Sequence, residues 1–519
     1  MTSLASVSVS PIRSSSSREQ FGLAHWMART LEECDRAAAD FAKDPVHDLR
    51  VALRRCRSMA DGLMALDPSK DWKRMKKAGK RLFSALGELR DAQVMTDWIE
   101  SLSAATDPVG QKLAANAAAR ERAAKQTAQL ELSRFDRKRW SRWTETLPRR
   151  AERIPLGGPV FLHMALERWT EARELQNRVL RHPSNVGWHR LRIGIKKFRY
   201  TVENFLPDLH DQWVDDLKKL QDYLGEVHDL DVLWETAVKI GAFADPESHQ
   251  RWQLKVQEER EQRINKYREK MVGANSLWKV WRKQLPQGDA VEDAAYTRFK
   301  LWAGFLDPDP RHSQRVCRYA LQLFDELLRS GLIRADREYD LRSVLKLAAT
   351  LHEVGRSKGA MKHHKRGSRM IRQISPPLGY SAKDLGLASI VARYHRGALP
   401  STSQKSFARL SAAQQKRTLL LAGILRLADS LESSRNGIVK RIAVSRQDSH
   451  LLISVAGYDP HSPAAARVAV ARHILETLYG LPLIVRPLDA LESRRDGKSQ
   501  SRSRLPKRPL NRISGDRGR

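Results

Sequence analysis

Cysteine is scarce in these 519 residues: Cys34, Cys56 and Cys317 are the only three, and no two form a CxxC pair. That argues against a disulfide framework and against a structural zinc site, and it fits a reducing cytoplasm. No run of about eighteen apolar residues occurs, so no membrane-spanning helix is expected. The opening MTSLASVSVSPIRSSSS holds no apolar stretch long enough for a signal peptide. Acidic residues are in deficit: 60 Asp+Glu stand against 93 Lys+Arg, for a net charge of +33. Such a balance points to a polyanion: nucleic acid, polyphosphate or an anionic membrane. Aromatics make up only 7%, and no base-reading motif appears, so nucleic-acid binding is expected to be non-specific. No basic amphipathic segment stands apart from the rest, which argues against a membrane partner.

What is present is helical periodicity. The chain is too long for one core, and a hydrophobic fraction of 41% supports folded domains. The clearest element is Val46–Arg57. His47, Arg50, Arg54 and Arg57 fall at offsets that share one helix face, beside an apolar stripe of Val46, Leu49, Leu53 and Cys56. Asp44 is the expected N-cap, with Pro45 at the first helical position. The same pattern returns as His189, Arg192, Lys196 and Arg199.

Further landmarks repeat in the same order. Leu86-Gly87-Glu88-Leu89-Arg90-Asp91 returns 138 residues later as Leu224-Gly225-Glu226-Val227-His228-Asp229, and Trp140 and Trp143 return as Trp278 and Trp281. Helices are expected near 18–43, 45–66, 70–102 and 109–134, and again near 158–180, 184–207, 211–240 and 246–284. Residues 18–285 therefore read as two four-helix units, 18–150 and 158–285. Lys73, Lys76, Lys77, Lys80 and Arg81 add a cationic helix to the first. The second keeps Lys218 and Lys219 but places Asp211 and Asp215 where Lys73 and Lys77 would align, so the first half is expected to hold an anion more strongly. A cationic row about 15 Å long suits a chain of phosphates. A single such helix would more simply be a solvated face.

The motifs VHDLRVALRRCRS, WHRLRIGIKKFRY, LGELRD and LGEVHDLD, with their duplication, resemble the CHAD family over roughly residues 18–285. The resemblance implies a helical bundle whose basic cavity binds inorganic polyphosphate. The contacts it implies are His47, Arg50, Arg54, Arg57, Lys76, Lys80, His189, Arg192, Lys196 and Arg199. No ExExK motif of the triphosphate-hydrolysing tunnel domains is found, so that activity does not carry over.

Residues 286–295 form a polar break, read as a linker, and 296–437 return to helical periodicity rich in histidine. His312, His352-Glu353, His363-His364, His395 and Asp429 follow in the order of a metal-dependent phosphohydrolase of the HD type. The candidate metal ligands are His312, His352, Glu353, His364, His395 and Asp429, with Mg or Mn as the divalent ion. The simpler reading is a histidine-rich helical domain that keeps the layout without a metal.

HSQRVCRYALQLFDELL, LHEVGR, HHKRGS, VARYHRGALP and LLLAGILRLADSLESSRN resemble the C-terminal HD-like region of the exopolyphosphatase/guanosine pentaphosphate phosphohydrolase family, over about 300–487. Glu353 stands where active HD enzymes carry Asp, and Arg366 takes the place of a histidine in the family's HHxHS segment. The family's catalytic phosphatase module has no counterpart in this sequence. These departures favour a non-catalytic, phosphate-binding domain, with no residue assigned a catalytic role. The alternatives are a metal-dependent phosphohydrolase acting on polyphosphate or guanosine pentaphosphate, and a non-specific nucleic-acid-binding protein.

Residues 438–487 read as a small α+β extension: a hairpin of 438–444 and 451–455, a helix over 464–479 and a strand over 482–485. Residues 1–17 and the basic tail 488–519 are expected to be disordered. The expectation is thus a mainly α, cytoplasmic protein associated with polyphosphate granules, with a duplicated four-helix-bundle CHAD domain, an all-helical HD-like domain and a small α+β C-terminal extension.

Overall fold

The computed structural model describes residues 22–334, 336 and 338–488. The expected disordered segments, 1–17 and 488–519, lie outside the described residues except for Leu488. The chain divides into two compact units at Pro286/Gln287, and the fold is mainly α with one three-stranded sheet. Among the described residues no helix is long and apolar enough to cross a membrane.

The first unit is a helical duplication. Its first half runs α1 (Leu23–Ala39), α2 (Lys43–Leu63), α3 (Lys70–Ala78), α4 (Lys80–Leu102), α5 (Pro108–Ser133) and α6 (Arg137–Ala151). Its second half runs α7 (Pro159–Arg181), α8 (Asn185–Phe205), α9 (Pro207–Lys239), α10 (Pro246–Met271) and α11 (Leu277–Lys283). Side-chain caps set several starts: Asp107 for α5, Asp136 for α6, Ser184 for α8 and an Asp245/Ser248 capping box for α10.

The expected cap of α2 is corrected. The helix begins two residues before Pro45, behind Ala42 and without a side-chain cap. Proline is tolerated there because first-turn N–H groups have no carbonyl partner in the helix. The single helix expected over 70–102 is broken at Gly79. A Cβ at Gly79 would lie 3.3 Å from Leu53 and 3.4 Å from Trp140, so α3 and α4 meet under close packing. The matching position in the second half is the buried Leu217, and α9 runs unbroken for 33 residues.

Each half also closes with a short helix bearing the repeated tryptophans. Trp140 of α6 donates to the Met27 carbonyl of α1 at 3.1 Å, and Trp278 of α11 donates to Gln176 of α7 at 2.5 Å. The pairs at 140/143 and 278/281 are buried packing residues that tie the last helix of each half to its first.

The halves meet where α2 packs on α8. Arg55 reaches Glu203 at 2.5 Å and Asn204 at 3.2 Å, and Asn204 donates to Ser58 at 2.8 Å. Both ends of this network are largely buried, so it fixes the register of the two cationic helices.

The second unit runs α12 (Asp289–Gly304), α13 (Pro310–Arg329), α14 (Leu341–Leu351), a 3-10 turn (Val354–Lys358), α15 (His363–Arg372), α16 (Ala382–Tyr394), α17 (Lys405–Ala408) and α18 (Ala412–Leu431). Most of the stretch expected as a linker, 286–295, is the first turns of α12. Then come β1 (Arg441–Arg446), β2 (Leu451–Ala456), α19 (Pro463–Ala471), α20 (His473–Tyr479) and β3 (Leu483–Pro487). The helix expected over 464–479 is two helices meeting at Arg472.

β1 pairs antiparallel with β2, Ile442 facing Val455, and β3 adds parallel to β2, Leu451 facing Leu483. The central strand β2 is buried over Leu451–Val455, and its apolar side chains join one core with α13, α14, α16 and α18. Burial of that apolar area is what holds the small sheet, too short to stand alone, against the helices.

Candidate functional site

In the first unit the cationic faces of α2 and α8 converge. Arg54 lies over the Tyr200 ring at 5.4 Å, and Arg50 and Arg57 lie over Phe83 of α4 at 5.8 and 5.0 Å. The buried Nε atoms of Arg50, Arg54 and Arg192 have no hydrogen-bond partner among the described residues. Burial pushes the Lys196 ammonium down to about 8, and the neighbouring charges of Arg192 and Arg50 push the same way. Burial also lowers the Arg50 guanidinium. Desolvated, mutually repelling cations with unused donors form an arrangement that an anion relieves.

Other expected contacts are already engaged. Arg57 donates to the Lys76 carbonyl at 2.5 Å, Lys76 pairs with Asp61, and Arg199 lies 3.8 Å from Glu203. Lys73, Lys77, Lys80, Arg81, Lys218 and Lys219 are exposed and stand outside the buried seam. The repeated histidines are not equivalent. His47 is exposed, whereas His189 Nδ1 lies 3.4 Å from His228 Nδ1. Burial and then Arg192 drive His228 down to about 4.

Beside the seam, α4, α8, α9 and α10 line an open cavity of about 640 Å3. Arg192 and Lys196 enter it from the seam, joined by Arg90 and Arg263, which the sequence reading missed. Arg90 and His228 hold the same position in the repeated LGE motif, and that equivalence was the available signal. Arg263 carried none; it is tied to Glu226 at 2.8 Å and to Glu259.

The cavity also presents acids, with Asp222, Glu226 and Asp229 spaced along α9. Burial lifts the Asp229 carboxyl to about 6. The asymmetry expected from Asp211 and Asp215 concerns exposed positions. Within the cavity, Asp222 stands where the first half has Ser84.

The second unit gathers histidines and carboxylates from five elements. His312 comes from the first turn of α13, His352 and Glu353 from the end of α14, His363 from the start of α15, His395 from the end of α16 and Asp429 from α18. His312 Nε2 lies 3.0 Å from Asp429 Oδ1, and His352 Nε2 lies 3.8 Å from the same oxygen. Glu353 Oε1 lies 3.0 Å from His363 Nε2 and 3.7 Å from His395 Nε2. Gly355 permits this convergence, since a Cβ there would lie 2.1 Å from the His363 carbonyl oxygen.

Backbone carbonyls orient three of the rings. Nδ1 of His352, His363 and His395 donates to Ala349, Ala360 and Ala392 at 2.7, 2.9 and 2.6 Å. Each ring thereby turns its Nε2 inward, as metal-binding histidines do. Burial drives His352 down to about 4 and so keeps it neutral. Burial alone would raise Glu353 and Asp429, but the surrounding imidazoles, with Arg356 beside Glu353, hold both well below the usual carboxylate range. The sets His312/His352/Asp429 and His352/Glu353/His395 each bring three ligand atoms within 4.8 Å of one another.

The His364 ring lies 6.4 Å from that of His395. It packs beside Gly397, while the buried His363 is the neighbour whose Nε2 meets Glu353 and His395. The two differ by one helix position, which periodicity alone did not resolve. Arg366 puts no cation in the centre either. It donates to the Gly359 carbonyl at 2.7 Å and to Met361, bracing the turn before α15. A pocket of about 440 Å3 opens beside the centre, with Arg396, Arg426, Arg435 and Arg467 in its wall.

Two family models match the chain. Residues 23–238 match the CHAD domain, and residues 304–457 match Ppx/GppA phosphatase, domain III. A search of curated proteins finds no match. The chain therefore carries a CHAD domain in its first unit and a Ppx/GppA phosphatase domain III in its second.

Proposed function

We propose that the protein binds inorganic polyphosphate along the seam of α2 and α8 and into the cavity beside it. The supporting observation is the meeting of the half-buried Arg50, Arg54, Arg192 and Lys196, with three guanidinium Nε atoms buried and unpartnered among the described residues. Phosphate oxygens accept from such donors in charge-assisted bonds, and successive phosphates suit cations spaced along two helices. The outer lysines supply long-range attraction. The test is competition between long-chain polyphosphate and DNA at equal phosphate concentration. Tighter binding of polyphosphate, weakening steeply with salt, is expected. Equal affinity for both would reduce the protein to a non-specific polyanion binder.

A second reading, a metal-dependent phosphohydrolase, is favoured by one observation: the Nε2 atoms and carboxylate oxygens of the second unit turn toward each other. Its substrate would be polyphosphate or guanosine pentaphosphate. The residues fit a divalent ion, since His312, His352, His363 and His395 offer imidazole and Glu353 and Asp429 offer carboxylate. An imidazole-rich set suits Mn better than Mg, which prefers oxygen ligands. Such an ion, when bound, supplies hydroxide at neutral pH from its water. The chain's own part is to hold the ligands neutral or anionic and to line the approach with arginines.

Glu353 presents a carboxylate as Asp would, and His363 restores the ligand that Arg366 removes, so neither departure argues against metal binding. Phosphate release in Mn that is lost on His352→Ala supports this reading. No release leaves a phosphate-binding domain without turnover, and release unaffected by that change puts the turnover outside this centre.

A further inference from the structure

Arg435 is an arginine of the pocket wall whose guanidinium approaches Glu353 of the centre. It follows α18 in a left-handed backbone conformation, φ 56°, which a non-glycine residue adopts at a cost. The surrounding loop is clamped from α13. Arg315 donates to Glu432 at 2.5 Å and to the Arg435 carbonyl at 2.9 Å, and the Gly437 N–H donates to Glu432 at 3.3 Å. The Arg435 guanidinium pairs with Asp309 and stands 3.7 Å from Glu353 Oε2. Arg356 holds that same oxygen at 2.7 Å. Glu353 thus turns Oε1 to the imidazoles and Oε2 to two arginines.

We propose that the pocket walled by Arg396, Arg426, Arg435 and Arg467 is an oxyanion site for a phosphoryl group, and that Arg435 couples its occupancy to cation binding at Glu353. This rests on the reading that the centre takes a divalent ion. With the pocket free, the Arg435 charge sits beside Glu353 and opposes an incoming cation. An oxyanion in the pocket draws Arg435 away and places negative charge next to the centre. The two ligands therefore strengthen each other, and the effect is reciprocal. Arg435 acts through Glu353 and through the bound anion; it is a positioning residue.

The test is an electron paramagnetic resonance titration of the full chain with Mn2+, with sulfate as the tetrahedral anion and chloride matching the ionic strength. Sulfate is expected to tighten Mn2+ binding about tenfold in the unaltered protein. Arg435→Ala should bind Mn2+ more tightly than the unaltered protein before sulfate is added, and should lose the sulfate response. Arg435→Gly, which removes the charge and relaxes the left-handed backbone, should behave as Arg435→Ala does; a glycine variant that keeps the sulfate response of the unaltered protein would trace the alanine effect to the loop and overturn the coupling. Arg435→Lys keeps the charge and should retain part of the response. An unchanged sulfate response in both Arg435→Ala and Arg435→Gly overturns the coupling while leaving the centre intact. Absence of Mn2+ binding, or binding that survives His352→Ala, overturns the reading of the centre itself.

Discussion

Nε2 of His363 lies 3.2 Å from Nε2 of His395, and the Nδ1 of each ring donates to a backbone carbonyl three residues earlier. In neutral imidazoles so arranged, both lone pairs point at one another, with the Glu353 carboxylate beside them. That is repulsive in a buried setting unless a proton or a metal ion lies between. The same spacing suits two ligands of one cation.

His363→Ala is therefore expected to weaken Mn2+ binding by about 100-fold or more, whereas His364→Ala should change it by less than about threefold. Isothermal titration of both variants checks this. Equal effects would remove His363 from the ligand set.

In the first unit, buried cations should outweigh exposed ones. Arg54→Ala with Arg192→Ala should lower polyphosphate affinity at least about tenfold, and Lys73→Ala with Lys77→Ala only about two- to threefold. Surface lysines are screened by salt and keep their hydration, so their contribution should also vanish first as salt rises. A fluorescence binding series at several salt concentrations separates the two pairs.

The pH dependence follows from Lys196, whose ammonium is pushed from its ordinary range down to about 8. Raising the pH through 8 neutralises it in the free protein, so polyphosphate binding should weaken between about pH 7 and 9. The stability of the free fold should move the other way. A lysine depressed in the folded state holds its proton less tightly there than in the unfolded chain. The fold thus gains stability from pH 8 up to the ordinary lysine value. Lys196→Gln should abolish both trends, and loss of neither would show that another group carries them.

Gly355 tests the link between fold and centre. Gly355→Ala forces a Cβ against the His363 carbonyl and the Gly367 N–H, which backbone cannot cheaply vacate. A loss of roughly 2–4 kcal/mol in urea unfolding is expected, together with weaker Mn2+ binding. Ala at Gly386, where nothing lies within 4 Å, should have little effect on either.

Much of this was legible beforehand. The face of Arg50, Arg54 and Arg57 and its return at Arg192, Lys196 and Arg199 followed from helical spacing, because residues three and four apart must share a face. The order His312, His352-Glu353, His395, Asp429 was readable only as the layout of an HD-type phosphohydrolase that the sequence resembles, since residues so far apart share no helix face. Where reading failed, the deciding contact was distant in sequence. Gly79 breaks a helix because Leu53 and Trp140 close in on it, and no local pattern carries that. His363 rather than His364 enters the centre because Gly355 seats the preceding turn against α15 and fixes the rotation of that helix.

By itself the sequence determined the helical character, the duplication, the cationic faces and the set of residue types available for metal or phosphate, since periodicity and composition are local properties. Only the tertiary structure decided which charges lose water and which remain exposed. It took Arg57, Lys76 and Arg199 largely into protein contacts and left donors on Arg50, Arg54 and Arg192 free. It added Arg90, Arg263 and five acids to the cavity and set Arg435 beside Glu353. Those outcomes depend on desolvation and on distances between elements far apart in the chain, and neither is written in the order of the residues.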